Sequence, residues 1–267
     1  MTTKHRFNRR RFLAAASSAA SLLPAALPVG ISGAEKSDKW ADLTGRFVYD
    51  GTAPERKKLT VDKDVECCGK FDIRDESLMV DKDGGLGNVF IYVRSRRVDV
   101  CPELEQSVKD KVVLDNRDCI FKPHCMTIWY TKQTFEIVNS DPVGQNVAFS
   151  PIFDTPQNIV LPVKGKATHT FGRNQTIPVK IVCNYHPWES AYILPRDNPY
   201  AAVSKPDGTF RLTNLPVGEL EFQVWQERSG YVATPDWARG RFKMEIKSGV
   251  NDLGTVKLDP ELFAEPG

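Results

Sequence analysis

Beyond residue 34 this chain has no apolar run long enough to cross a bilayer, which excludes a helical membrane span in the remainder. Helix signals are nearly absent too. Only the stretch near Pro102 to Val108 reads as a short helix, with Pro102 suited to a first helical position. Catalytic signatures are missing as well: there is no Gly-x-Ser-x-Gly, no His-Glu-x-x-His, no phosphate-cradling glycine loop and no coherent carboxylate pair. The chain therefore does not read as an enzyme. Nor does it carry a nucleic-acid surface, since the basic cluster Arg94, Arg96 and Arg97 is short and followed at once by Asp99, as at a solvated strand end. Histidine is scarce, with four in 267 residues, so imidazole chemistry has few places to be built.

The start of the chain reads as an address. Asn8-Arg9-Arg10-Arg11-Phe12-Leu13 precedes a weakly apolar, alanine-rich run from Ala14 to Val29, the pattern of a twin-arginine export signal. A membrane anchor or basic amphipathic tail is the alternative, but Pro24 and Pro28 make a poor spanning helix. Ser32-Gly33-Ala34 supplies small residues for cleavage, which makes 1–34 the signal and starts the mature chain near Glu35. The expected location is the periplasm, or another site reached by the twin-arginine route. Without Lys4, Arg6, Arg9, Arg10 and Arg11 the basic residues fall from 36 to 31 against 34 acidic, so the net charge turns from +2 to −3.

From Trp40 to Leu258 the chain is a succession of short β-branched and aromatic runs bounded by Gly, Pro, Asn and Asp. They include Gly45–Tyr49, Val89–Val93, Lys111–Leu114, Met126–Tyr130, Thr134–Val138, Asn146–Phe149 and Ile177–Val182. That spacing predicts an all-β sandwich. A second, smaller unit begins near Asn198-Pro199, where Asp207-Gly208 is a hairpin signal and Pro216 and Gly218 mark another turn. The expected organisation is a domain over 40–198 and a compact sandwich over 199–260. In the latter, Trp225, Tyr231 and Trp237 are read as core aromatics, with a sugar-stacking platform as the alternative.

Six cysteines in an exported chain allow disulfides. Adjacent Cys67 and Cys68 are poorly placed to bond each other, so the simplest use is one of them joined to Cys119 or Cys125. His124 is expected to be structural and His169 to face solvent from a strand. The chemistry concentrates in Cys183-Asn184-Tyr185-His186-Pro187-Trp188-Glu189, where a thiol and an imidazole stand three residues apart after a strand. Both are good ligands for copper or zinc. The alternative is a buried Cys183 packed as a small apolar residue, with His186 capping a turn.

Four stretches in order, Gly85–Val93, Asp118–His124, Glu136–Val147 and Cys183–Tyr192, resemble the cupredoxins, specifically the exported cupredoxin-like proteins labelled methylamine-utilisation proteins. Residues 200–258 resemble carboxypeptidase-regulatory-like, transthyretin-like sandwiches through Asp207–Phe210, Leu215–Gly218 and Val224–Glu227. The resemblance implies a cupredoxin-like Greek-key sandwich followed by a smaller prealbumin-like one. It also implies copper held by Cys183 and His186. Here the pattern departs from the family, because Gln145 stands where an equatorial histidine is expected and Glu189 where the axial methionine would come. The implied metal set is thus Cys183, His186, Gln145 and Glu189. The implied role is electron transfer or metal handling, with a periplasmic redox or scaffold protein as partner. The alternative is a metal-free sandwich acting as a protein- or carbohydrate-binding scaffold.

Overall fold

A computed structural model of the protein describes Met1 and residues 38–264. Apart from Met1, the segment expected to be a twin-arginine signal lies outside the described residues. Among those described, regular structure is almost entirely strand; the α-helical pieces are the one-turn Val65–Cys68 and Pro102–Ser107, the latter with its proline in the first turn as anticipated. The chain is all-β, as the spacing of its apolar runs predicts.

Residues 111–196 build a sandwich of two sheets sharing one core. One sheet runs in the order Gln157–Leu161, Gln145–Phe149, Val179–Val182, Ser190–Arg196 and Cys125–Trp129. The facing sheet runs Lys166–His169, Thr134–Asn139, Lys111–Arg117 and Ile120–Lys122. Strand Thr134–Asn139 shows why the pattern is readable: Phe135, Ile137 and Asn139 turn inward while Thr134, Glu136 and Val138 lie nearer the surface, the period of two a pleated strand imposes. Phe135 and Ile137 meet Leu114 from their own sheet and Val147, Phe149, Ile181 and Ile193 from the other. His169 departs from its expected place in solvent. It is half-buried, with its ring edge-on to Phe149 and Phe171, and burial lowers its pKa despite the Asp154 carboxylate nearby.

The remaining strands form a second pair of sheets, and they do not sort at 198/199. Trp40–Tyr49 lies between Thr209–Pro216 and Gly249–Leu258, antiparallel to the first and parallel to the second. Phe90–Val93 lies between Ala201–Val203 and Gly218–Gln226, which also pairs with Arg241–Ile246. The stretch 40–198 therefore contributes strands to both sandwiches. The physical reason is sheet closure: without 40–49 and 90–93, the strands of 199–260 would leave unpaired edges in the middle of both sheets. The second core accordingly mixes Leu43, Phe47, Val89 and Ile91 with Phe210, Phe222, Val224 and Leu258. The other face of 90–93 presents Phe90 and Tyr92 to Cys125, Tyr192, Leu194 and Trp225, which joins the two sandwiches in one compact unit.

The hairpin signal at Asp207-Gly208 has a steric basis. Gly208 has φ +81°, and a Cβ there would fall 2.1 Å from the Phe47 carbonyl oxygen. Asp207 Oδ1 accepts the Thr209 amide at 2.9 Å and fixes the turn. Trp225 and Trp237 are core residues, 8% and 7% exposed, and offer no open stacking face.

Candidate metal centre

Strand pairing brings the four predicted donors together. Val179–Val182 and Ser190–Arg196 are antiparallel neighbours, so the loop 183–189 is their hairpin connection. Its turn is tight, with the Glu189 amide donating to the His186 carbonyl at 2.9 Å and the Cys183 amide to the Glu189 carbonyl at 3.3 Å. Gln145–Phe149 pairs on the other side of Val179–Val182 with Val182 opposite Ala148, which carries Gln145, the first residue of its strand, to the loop. The Asn184 amide donates to Asn146 Oδ1 at 3.0 Å and pins the two segments. Cys183, His186, Glu189 and Gln145 are 3%, 0%, 1% and 0% exposed, so this is a dry polar cluster.

Within it, Gln145 has a single sensible orientation. Its Nε2 donates to Asp141 Oδ2 at 3.1 Å and to Glu189 Oε1 at 3.2 Å, both acceptors. Its Oε1 is thereby turned toward His186 Nδ1 at 2.8 Å and Cys183 Sγ at 3.5 Å. His186 Nδ1 also lies 3.7 Å from Cys183 Sγ and 3.2 Å from Glu189 Oε1. Ligand atoms of Cys183, His186 and Glu189 all fall within 4.8 Å of one another. The other ring nitrogen, Nε2, faces Asp64 Oδ2 at 2.8 Å.

Both imidazole nitrogens thus face acceptors. Burial pulls the His186 pKa down, but hydrogen bonds to Cys183, Glu189 and Asp64 outweigh it and carry the pKa up to about 10. Burial pushes the Glu189 carboxyl up, against the pull of the imidazole. Glu189 Oε2 is buried with no hydrogen-bond partner, which is costly unless something positive takes it.

The donor set fits a metal ion. A tetrahedral shell with bonds of about 2.0–2.3 Å has edges of about 3.3–3.8 Å. Two of the three sulfur edges, to Gln145 Oε1 at 3.5 Å and to His186 Nδ1 at 3.7 Å, already have that length. The shorter nitrogen–oxygen contacts are those a shared proton holds and a cation would open. Asp64 on the far imidazole nitrogen supplies the carboxylate that commonly orients a ligating histidine.

Two contributors were not anticipated. Asp64 stands at the position before the helix Val65–Cys68 in a left-handed conformation, φ +44°, with no capping bond from its side chain, and Asp141, 3% exposed, holds Gln145 while accepting the Cys119 amide. The only sequence signal for either is proximity: Asp64 precedes the Cys67-Cys68 pair and Asp141 precedes Gln145 by four residues. The disulfide is Cys68–Cys119, one of the pairings expected. It lies beside the loop, since Trp188 Nε1 donates to the Cys119 carbonyl at 2.9 Å and the Trp188 ring sits 5.0 Å from His186. His124 is elsewhere, buried with Nε2 on Glu227 Oε2 at 2.7 Å, and takes no part in the cluster.

Fold and site together define a two-sandwich β protein with a buried thiol, imidazole, carboxylate and amide converging under one hairpin. No protein-family model and no curated protein matches the chain. Solved structures similar to part of it include a Cu(I) amicyanin variant, 13% identical over 40% of this chain and 98% of that one, with a TM-score of 0.27. An oxidised amicyanin variant is 12% identical with the same coverages and a TM-score of 0.28. A purple cupredoxin from Nitrosopumilus maritimus is 17% identical over 33% of this chain and 99% of that one, at a TM-score of 0.26. Likeness this low says nothing of ligands, so the functional reading rests on this chain's own side chains.

Proposed function

We propose that this chain is an exported, cupredoxin-like protein that holds copper through Cys183, His186, Glu189 and Gln145, and that its role is metal handling. The observation that carries the reading is the orientation of Gln145: two carboxylates take its amide protons and turn its oxygen toward Cys183 Sγ and His186 Nδ1. The unpartnered Glu189 Oε2 supports it. Bound copper would supply a Lewis-acid centre with a one-electron couple. The residues favour holding over fast electron exchange, because two oxygen donors beside one thiolate and one imidazole suit Cu(II) better than Cu(I). Export is supported by Arg9-Arg10-Arg11 and the alanine-rich run behind them.

A second reading has its own observation. An imidazolium at position 186, bonded through both nitrogens, is itself the cation the cluster needs, and that favours a metal-free scaffold for a partner protein or carbohydrate. Metal analysis and a visible spectrum of the mature protein from copper-replete medium separate the two. The expected result is stoichiometric copper with a thiolate-to-copper band that Cys183→Ser abolishes. Stoichiometric zinc without a band would move the reading to a zinc site, and a protein that takes up neither metal would overturn it.

A further inference from the structure

A second group of ligand atoms lies outside that centre. The sulfurs of Cys67, Cys68 and Cys119 all fall within 4.8 Å of one another, although only Cys68 and Cys119 are bonded. Cys67 is a free thiol and half-buried, whereas Cys68 and Cys119 are fully buried. Around them Leu59, Val61, Ile73, Ile120, Val143 and Trp188 form an apolar shell. Three sulfurs within this shell are more than a disulfide requires.

We infer that this cluster, once a dithiol has reduced the Cys68–Cys119 bond, is a three-thiolate site for a soft monovalent cation, Cu(I). Reduction breaks the bond between the two sulfurs. The dithiol gives up two electrons and two protons and closes its own disulfide, leaving two thiols in the protein. Cu(I) then displaces the three thiol protons to solvent, and the copper neither gains nor loses an electron. Three sulfurs with no oxygen or nitrogen donor among them select Cu(I) over harder ions. A trigonal arrangement with metal–sulfur bonds of about 2.3 Å needs sulfurs about 4 Å apart. The Cα atoms of Cys68 and Cys119 are 5.5 Å apart, so side-chain rotation can open the bonded pair to that spacing.

Thiol–disulfide exchange is the competing use of three such sulfurs. The titration below separates the two uses, because exchange alone leaves no copper bound to the protein.

The inference uses residues outside the Cys183 centre, and the test keeps the two apart. Full-length Cys183→Ser protein is prepared anaerobically in oxidised and reduced forms and titrated with Cu(I) against a chromophoric Cu(I) chelator. The reduced form should take one equivalent that the oxidised form does not, with a copper absorption edge showing three sulfur neighbours. Cys67→Ser added to that background should weaken the uptake by about tenfold or more. If that variant does not fold, alkylating Cys67 in the folded, oxidised protein before reduction should have the same effect. Equal uptake by the two forms, or uptake indifferent to loss of the Cys67 thiol, would overturn the inference. Oxidised wild type that takes no metal counts against the Cys183 centre alone.

Discussion

Raising the pH strips the metal-free centre of its internal cation, and the loss should be measurable as stability. His186 moves from an ordinary pKa of 6.5 to about 10 on folding. A group whose folded pKa is raised contributes stability that is fully present below 6.5 and disappears as pH climbs through about 10. At full strength that move is worth about 5 kcal/mol. The ring is fully buried, but the Asp64 carboxylate on Nε2 is 47% exposed, so solvent screening reduces the figure to about 2 kcal/mol. The assay is urea unfolding of metal-free protein at intervals from pH 6 to 10, beside His186→Asn. Burial also favours the protonated thiols of Cys67, Cys101 and Cys125, which lose stability of their own above pH 9 in both proteins. The difference between the two curves isolates the imidazole. Wild type should lose about 2 kcal/mol more than the variant across this range. Parallel curves, or a wild type that gains on the variant as pH rises, would refute the placement of a proton between Gln145, Glu189 and Asp64.

Two further substitutions probe the surroundings. Asp64→Asn keeps the shape but removes the charge behind His186, and copper affinity measured by chelator competition should fall by about 10- to 100-fold with the fold unchanged. Phe47→Ala empties a fully buried position in strand Trp40–Tyr49, where the ring stacks on Phe210 at 4.9 Å. It should cost about 3–5 kcal/mol by denaturant titration, and hydrogen exchange should quicken in Thr209–Pro216 and Gly249–Leu258; protection unchanged there would contradict the placing of Trp40–Tyr49 between those two strands.

Cys183 and His186 are legible in the sequence from their spacing after a strand, whereas Gln145 and Glu189 come only from the resemblance to cupredoxins. Cys183, His186 and Glu189 share one hairpin, and Gln145 opens the strand beside it. Asp64 is not legible. It reaches His186 across 122 residues from an irregular segment with no apolar period to place it. The all-β class comes from alternation, which reports which face of a strand is buried but not which strand lies next to it. That is why sequence alone groups Trp40–Tyr49 and Phe90–Val93 with 40–198, although they pair with strands of 199–260: their patterns suit either sandwich. The Cys68–Cys119 pairing needs the three-dimensional path, since Cys67 and Cys125 satisfy the same spacing argument.

The parallel pairing of Trp40–Tyr49 with Gly249–Leu258 also decides how the molecule resists force. The two strands run the same way, and eight residue pairs from Ala41 with Gly249 to Tyr49 with Leu258 join them. A pull on the chain ahead of Trp40 against the chain beyond Leu258 therefore acts along the ladder and loads its rungs together. A hairpin pulled from its open end unzips one rung at a time; this ladder must shear.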